Sequence, residues 1–177
     1  MSKILISGYY GFANAGDEAM LTAIIESLRQ VEKNVELTVL SGNPEDTAAK
    51  HQVCSVYRFN PLGIIRTMKD SELIISGGGS LLQDVTSKRS LLYYLSIIGL
   101  GKFFGKKVML FAQGIGPIRA KWARKLTSLV CNEADLITVR DSESAAELIE
   151  MGVKPEKITV TADSVLSLNP VTKECGQ

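Results

Sequence analysis

The sequence is poor in the residues that build metal sites and disulfide frameworks. Its 177 residues include three cysteines and one histidine. Cys54, Cys131 and Cys175 are far apart, form no C-x-x-C pair and have no histidine at ligand spacing. Neither a disulfide framework nor a zinc site is indicated, and we predict no metal and no cofactor. A reduced, cytoplasmic setting fits this pattern.

Long apolar runs and targeting segments are also lacking. The longest apolar stretch, residues 91–100, is interrupted by Ser96 and Gly99. It is shorter than the roughly 20 residues that a membrane span needs, so we predict a buried helix there. The N-terminus passes directly into a strand and lacks the basic, apolar and small-residue zones of a signal peptide.

Charge of one sign is not in excess. Twenty Lys and Arg against nineteen Asp and Glu give a net charge of +1, so we predict no nucleic-acid partner. Hydrophobic residues make up 45% of the chain, which is typical of a globular domain and excludes disorder. A local basic group follows a Gly-Pro loop at Arg119, Lys121, Arg124 and Lys125. It is either a solvated helix face or a contact for an anionic polymer, a lipid diphosphate or a membrane surface.

What the sequence does contain is a regular alternation of short apolar strands with amphipathic helical segments. We predict strands at residues 4–6, 35–40, 53–56, 73–76, 108–112, 136–139 and 158–160. This alternation predicts an α/β fold, a doubly wound, mostly parallel, Rossmann-like sheet with helices on both faces. We place the domain at residues 1–166 and a tail or linker at 167–177. Ligands bind such sheets outside the carboxyl ends of the strands.

The stretch after the first strand is the first candidate site. Gly8, Gly11, Asn14 and Gly16 tolerate positive φ and let a ligand approach the backbone. The loop over residues 8–15 is longer than a structural turn needs, and the helix after it would offer free N–H groups to a ligand. For Asp17 and Glu18, which open that helix, helix capping is the commoner explanation. His51 follows a polar helix away from this edge, and we predict that it is solvated.

Three more loops lie on the same predicted edge. The run Gly77-Gly78-Gly79-Ser80 forms either an anion-binding nest or a tight turn. Gln113 either reaches a ligand or braces its own loop. Arg140 ends the sixth strand, where it either binds a carboxylate or phosphate or pairs with Asp141, which is placed to cap the next helix.

The details do not fit a dinucleotide-binding or P-loop enzyme. The glycines of the first loop are too widely spaced for G-x-G-x-x-G. The second strand ends Val39-Leu40-Ser41-Gly42, without the acidic residue that would hold a ribose, and no Walker lysine motif is present.

Five motifs, in order, resemble the polysaccharide pyruvyl transferase family. They are Gly8-Tyr-Tyr-Gly11, Asn14-Ala-Gly-Asp-Glu18, Gly77-Gly78-Gly79, Gln113-Gly-Ile-Gly-Pro117 and Val139-Arg140-Asp141-Ser-Glu-Ser144. The resemblance runs from Lys3 to about Pro170. It is nearest to the branch that pyruvylates the cell-wall polymers used to anchor surface-layer proteins.

The resemblance implies the amino-terminal domain of a fold like that of type B glycosyltransferases. It implies transfer of the enolpyruvyl group of phosphoenolpyruvate to two hydroxyls of a sugar such as N-acetylmannosamine, forming a ketal and releasing phosphate. The acceptor would be a lipid- or nucleotide-linked sugar of a cell-surface polysaccharide, met at the inner face of the plasma membrane. The family's histidine general acid would lie in a second domain beyond Gln177, so we expect little turnover from this chain alone.

Within that resemblance, the catalytic candidates are Arg140, which would hold a carboxylate or phosphate, and Asp17, which would orient or deprotonate an acceptor hydroxyl. The substrate-binding candidates are Gly11, Asn14, Gly16, Gly78, Gly79, Ser80 and Gln113. Two alternatives stay open: a module that binds acceptor or sugar nucleotide without activity of its own, and a B-type glycosyltransferase. Without a second domain, the apolar rim residues Tyr9, Tyr10, Phe12 and Ile115 are predicted to be exposed or to pair in a homo-oligomer.

Overall fold

The computed structural model describes residues 2–85 and 87–161, which form seven strands and six α-helices. The strands are Lys3–Tyr10 (β1), Glu36–Ser41 (β2), Cys54–Tyr57 (β3), Leu73–Gly77 (β4), Lys107–Gln113 (β5), Leu136–Val139 (β6) and Ile158–Val160 (β7). The helices are Ala15–Val31 (α1), Pro44–His51 (α2), Pro61–Asp70 (α3), Lys88–Phe103 (α4), Lys121–Glu133 (α5) and Ser142–Glu150 (α6). A 3₁₀ turn, Pro155–Lys157, precedes β7. The predicted domain boundary at residue 166 and the tail 167–177 lie outside the described residues.

All seven strands pair in parallel, in the order β3-β2-β1-β4-β5-β6-β7. This arrangement confirms the predicted Rossmann-like sheet. The chain winds outward from β1 to β3 and then returns to the other side of β1 to form β4. The winding direction therefore reverses between β1 and β4, and a crevice opens at that point outside the carboxyl ends of the two strands.

The core has one layer on each face of the sheet. Alternation along β1 divides its side chains, with Leu5 in one cluster and Ile4 and Ile6 in the other. The stretch predicted as a buried helix forms α4, which belongs to the larger cluster. Among residues 2–85 and 87–161, no helix combines the length and the apolar character needed to cross a membrane.

Side chains cap five of the six helices that the structure describes. The capping residues are Asn14, Asn43, Asn60, Ser87 and Asp141, the last as predicted. Helix α5 begins after Ala120, which offers no side-chain cap. Asp84, from the loop after β4, fills this role by accepting from the N–H groups of Arg119 (3.0 Å) and Ala120 (2.9 Å). The start of α5 is thereby fastened to the loop after β4.

The first strand is longer than predicted, and the loop after it is correspondingly shorter. Strand β1 continues to Tyr10, so only residues 11–14 separate it from α1. Tyr10, predicted to be exposed or to pair between chains, is fully buried, and its hydroxyl donates to the Gly77 carbonyl at 2.5 Å. A side chain at Gly8 would overlap the Tyr10 ring, so glycine is what lets the tyrosine fold back. This contact joins β1 to β4 beneath the crevice.

Strand β5 contains an irregularity just before its end. The pairing of β5 with β6 shifts between Leu110 and Gln113, and Ala112 has a φ of 46°. The Thr138 hydroxyl stabilises this bend, since it accepts from the Ala112 N–H (2.7 Å) and donates to the Leu110 carbonyl (3.2 Å). Bulges of this kind redirect the side chain that follows, and Gln113 is fully buried.

Candidate functional site

A cleft of about 280 Å³ opens at the carboxyl ends of β1 and β4. Its lining combines hydroxyl, amide and carboxylate groups with apolar surface, and consists of Tyr9, Asn14, Asp17, Ser80, Leu81, Gln83, Ser90 and Tyr94. Three of these, Asn14, Asp17 and Ser80, are residues proposed from the sequence. The cleft lies where a doubly wound sheet reverses direction, the usual position of a ligand site in this architecture.

The N-terminus of α1 forms one wall of the cleft, and the N–H groups of Gly16, Asp17 and Glu18 in its first turn are already occupied. The Asn14 side chain accepts from the N–H groups of Gly16 (3.0 Å) and Asp17 (3.4 Å). The N–H of Gly11 donates to Glu18 Oε1 at 2.9 Å. The N–H groups of Gly16 and Asp17, expected to be free for a ligand, are therefore bonded to Asn14. Gly11 and Gly16 shape the turn, while Asn14 and Asp17 present side chains to the cleft.

Asp17 carries the carboxylate of the cleft. Burial, and secondarily the charge of Glu18, raise its pKa above the ordinary aspartate range. Gly79 has a φ of +72°, a conformation that strains any side chain, and a methyl group built there would lie 3.0 Å from Asp17 Oδ1. A partly buried carboxyl group with a raised pKa is suited to accept or donate a proton.

Glu18, next to it, is a structural residue. It is 7% exposed and accepts from His51 Nε2 at 3.0 Å and from the Gly11 N–H. Burial opposes its ionisation, but these hydrogen bonds and the nearby Lys50 charge outweigh that effect, so the pKa of Glu18 lies below its ordinary value. The prediction that His51 is solvated was wrong: it is buried at the end of α2. Chain distance hid this, because its partner is 33 residues away.

The glycine loop after β4 is a packed turn. The N–H of Gly78 donates to the Phe111 carbonyl at 3.4 Å, and that of Gly79 to the Met20 sulfur at 3.0 Å. Both glycines are buried. Of the two predicted alternatives the tight turn is the one observed, and Ser80 is the residue of this run that lines the cleft.

This loop and the loop after β5 form one unit. Gly114 N–H donates to the Gly79 carbonyl, and Gly116 N–H donates to the Leu82 carbonyl, each at 3.1 Å. Leu82 and Ile115 form a short parallel bridge between the loops. Gln113, at the start of the second loop, donates from Nε2 to the Ser76 carbonyl at 3.1 Å. Its amide thus connects the end of β5 to β4, and the bond that was predicted within its own loop is not the one observed.

Arg140 lies on the same side of the sheet as these turns. Its Nη2 donates to Ser80 Oγ at 3.1 Å, and its Nε lies 3.4 Å from Asp141 Oδ2. A methyl group at Gly114 would lie 2.6 Å from the guanidinium carbon, so the planar group packs directly on that backbone. Of the two predicted roles, the structure shows the ion pair with Asp141, and the guanidinium also bonds to Ser80, which lines the cleft.

Several cleft residues were missed by sequence reasoning. They are Tyr9, Leu81, Gln83, Ser90 and Tyr94. Tyr94 is hidden in the apolar stretch that reads as a buried helix, and Gln83 follows the glycine run without a motif of its own. One further residue, Arg58, follows β3 between Tyr57 and Phe59. A lone cation between two aromatic residues at a strand end was the available signal.

The fold is shared with several solved structures. HepE from Anabaena in complex with UDP-glucose is 15% identical with a TM-score of 0.66, and the match covers 92% of this chain and 44% of that one. The UDP-GlcNAc 2-epimerase from Neisseria meningitidis bound to UDP-GlcNAc gives 12% and 0.59, covering 94% and 47%. A glycosyltransferase from Rickettsia africae gives 11% and 0.58, covering 91% and 42%. This chain spans less than half the length of each.

These likenesses establish the architecture, equivalent to the amino-terminal domain of a type B glycosyltransferase as predicted. The polysaccharide pyruvyl transferase family model matches residues 14–174, which is most of the chain. The chain therefore belongs to the polysaccharide pyruvyl transferase family, as the five motifs predicted. A comparison with curated protein sequences found no significant match.

Proposed function

We propose that this chain is the amino-terminal half of a transferase that moves the enolpyruvyl group of phosphoenolpyruvate onto a sugar of a cell-surface polysaccharide. The acceptor sugar in this proposal is N-acetylmannosamine carried on a lipid or nucleotide. The observation that supports it best is the meeting of Asp17, Asn14 and Ser80 in one cleft, with Arg140 bound to Ser80. Family membership supplies the reaction class.

The reaction needs an acid, an ordered pair of hydroxyls and a clamp for anionic groups. Protonation of the methylene carbon of phosphoenolpyruvate gives an oxocarbenium-like centre, which the two sugar hydroxyls attack in turn while the carbon–oxygen bond to phosphate breaks. One of the two hydroxyl protons replaces the proton that was added to the methylene carbon, and the other leaves with phosphate. Holding the reactants in place is most of the catalytic task.

The cleft residues suit parts of this task. Asp17, with its raised pKa, would accept a proton from an acceptor hydroxyl, and Asn14 would hydrogen-bond the sugar. Ser80 and Arg140 would together hold a carboxylate or phosphate, since guanidinium groups bind such planar or tetrahedral anions through paired N–H donors. The general acid would come from the second domain that the resemblance implies.

Calorimetric titration of this chain with phosphoenolpyruvate and with a UDP-sugar is the first test. We expect Ser80→Ala and Arg140→Gln to weaken phosphoenolpyruvate binding about tenfold or more, in the range of a lost charge-assisted hydrogen bond. Arg66→Gln, on the exposed face of α3, is the matched control and should bind as the parent does.

Adding the carboxyl-terminal half of a family member should then restore ketal formation, followed as phosphate release by ³¹P NMR. Release of UDP from a UDP-sugar without phosphoenolpyruvate consumption would instead establish a B-type glycosyltransferase, the alternative that the fold favours. Binding of sugar nucleotide without either reaction would establish a binding module.

A further inference from the structure

Arg58 is a buried cation at the same edge of the sheet as the cleft. It follows the last residue of β3, and its N–H donates to the Ser41 carbonyl at the end of β2 (2.9 Å). Only 4% of its surface is exposed. None of the ion pairs within the described part of the chain involves it.

Aromatic rings surround the guanidinium. Its carbon lies 4.4–6.0 Å from five ring centres, those of Tyr9, Phe12, Phe59, Tyr93 and Tyr94. The faces of these rings attract a cation, which offsets part of the cost of removing the charge from water. The ring faces do not accept the hydrogen bonds that a guanidinium needs for its five N–H groups, although the Tyr94 hydroxyl accepts one.

Those donors are largely unmet. Nη2 donates to the Tyr94 hydroxyl over a long 3.4 Å. Nε and Nη1 are buried and have no hydrogen-bond partner among the described residues. A buried charged donor without an acceptor is costly, and a functional role is one recognised reason for a folded protein to retain it.

The cage and the cleft share two walls. Tyr9 and Tyr94 line the cleft and also contact the Arg58 guanidinium. Tyr9 stacks on Phe12, with ring centres 4.4 Å apart, and both rings are about two-fifths exposed (41% and 42%). They stand on the turn over residues 11–14, where Ala13 has a φ of 57°.

We propose that Arg58 is an anion-binding residue of the cleft, and that Nη1 and Nη2 take two oxygens of a phosphoryl group once the Tyr9–Phe12 pair moves aside. A phosphoryl group fits because it offers several charged oxygens to a forked pair of donors. Either phosphoenolpyruvate or the diphosphate of a sugar nucleotide carries this group. The inference goes beyond the proposed function, since it holds for any phosphorylated ligand and does not require pyruvyl transfer.

The test is calorimetric titration of the chain and its Arg58→Met variant with phosphoenolpyruvate, UDP and pyruvate. We expect Arg58→Met to weaken binding of phosphoenolpyruvate or UDP at least tenfold and to leave thermal stability unchanged or raised, because the variant removes an unpaired buried charge. Arg58→Lys keeps the charge but loses the fork, and it should bind with intermediate affinity. Arg66→Met is the control for arginine removal and should bind as the parent does.

The outcomes separate the roles. A drop in melting temperature for Arg58→Met with phosphorylated ligands bound as before would make Arg58 a purely structural cation and overturn the proposal. So would absence of binding by the parent chain at millimolar ligand, or an equal loss of pyruvate binding, which would point to carboxylate recognition. Loss for UDP alone would support the inference while leaving pyruvyl transfer to its own test.

Discussion

At the scale of the residue, Asp17 is the group whose ionisation the cleft opposes. Its folded pKa is raised, so the fold favours the protonated form: the resulting stability is present below the unfolded aspartate pKa and is lost as the pH rises through the folded value. We therefore expect Asp17→Asn to raise the free energy of unfolding at pH 7. Urea denaturation at pH 7 and near pH 3 measures it, and the gain should vanish at the lower pH.

Asp46→Asn is the matched control, because Asp46 occupies the first turn of α2 but is exposed. There the charge favours the helix N-terminus, and its removal should leave stability unchanged or slightly lowered. A loss of stability in Asp17→Asn at pH 7 would show that the carboxylate has a stabilising partner.

Gly114 affects the position of Arg140 through steric contact, because the guanidinium packs directly on its backbone. A methyl group there would lie 2.6 Å from the guanidinium carbon, so Gly114→Ala should push Arg140 off Ser80. We expect phosphoenolpyruvate affinity to fall about tenfold, as for loss of the Arg140 side chain. Gly99→Ala, on α4 with nothing within 4 Å, should keep affinity and not lower the melting temperature. Equal affinity in both variants would contradict a role for Arg140 in binding.

At the scale of the element, the Glu18–His51 pair fastens the start of α1 to the end of α2. The folded pKa of Glu18 is lowered, so its contribution to stability is present above the unfolded value and is lost as the pH falls through the folded one. We expect Glu18→Gln to cost about 1–3 kcal/mol at pH 7 and to flatten the acid limb of the stability curve below about pH 4.3.

Guanidinium denaturation across pH 3–7 measures this change. Glu26→Gln, on the exposed face of the same helix, should keep both the stability and the acid limb. If Glu18→Gln left the acid limb unaltered, other carboxyl groups would have to account for it.

Most element positions could be predicted from the sequence, because strands and caps are local signals. Strands β6 and β7 were predicted with the bounds observed, and Asp141 caps α6 as expected. The errors occur at residues whose position depends on a partner far away in the sequence. Tyr10 extends β1 because of a carbonyl 67 residues away, and His51 is buried because Glu18 accepts its hydrogen bond.

The same reason explains how much of the site was predicted. Asn14, Asp17 and Ser80 follow strands whose ends meet at the switch point, so the topology alone brought them together. The backbone of the glycine loops was predicted as a possible ligand contact, yet its N–H groups pair with Phe111 and Met20. Arg58 follows β3 and Tyr94 lies in α4, and no local sequence pattern predicts the contact between them.

At the scale of the whole molecule, the rim carries apolar surface at the place where the family resemblance puts a second domain. Tyr9 and Phe12 are both about two-fifths exposed there. We expect the chain to self-associate through this rim, and Phe12→Ser to shift sedimentation velocity profiles toward monomer. Phe103→Ser, which removes a 79% exposed ring at the end of α4, should not shift them. A parent chain that sediments as monomer at every concentration would contradict this prediction.

The hydrogen bond from the Tyr10 hydroxyl to the Gly77 carbonyl restricts how the cleft could adapt to another ligand. Burial raises the pKa of Tyr10 far above the physiological range, so its hydroxyl remains a hydrogen-bond donor under any cellular condition. This bond therefore holds the ends of β1 and β4 together beneath the cleft. Adaptation to a different ligand would have to proceed by exchanging cleft side chains such as Gln83 and Ser90, while the spacing of the two strand ends stays the same.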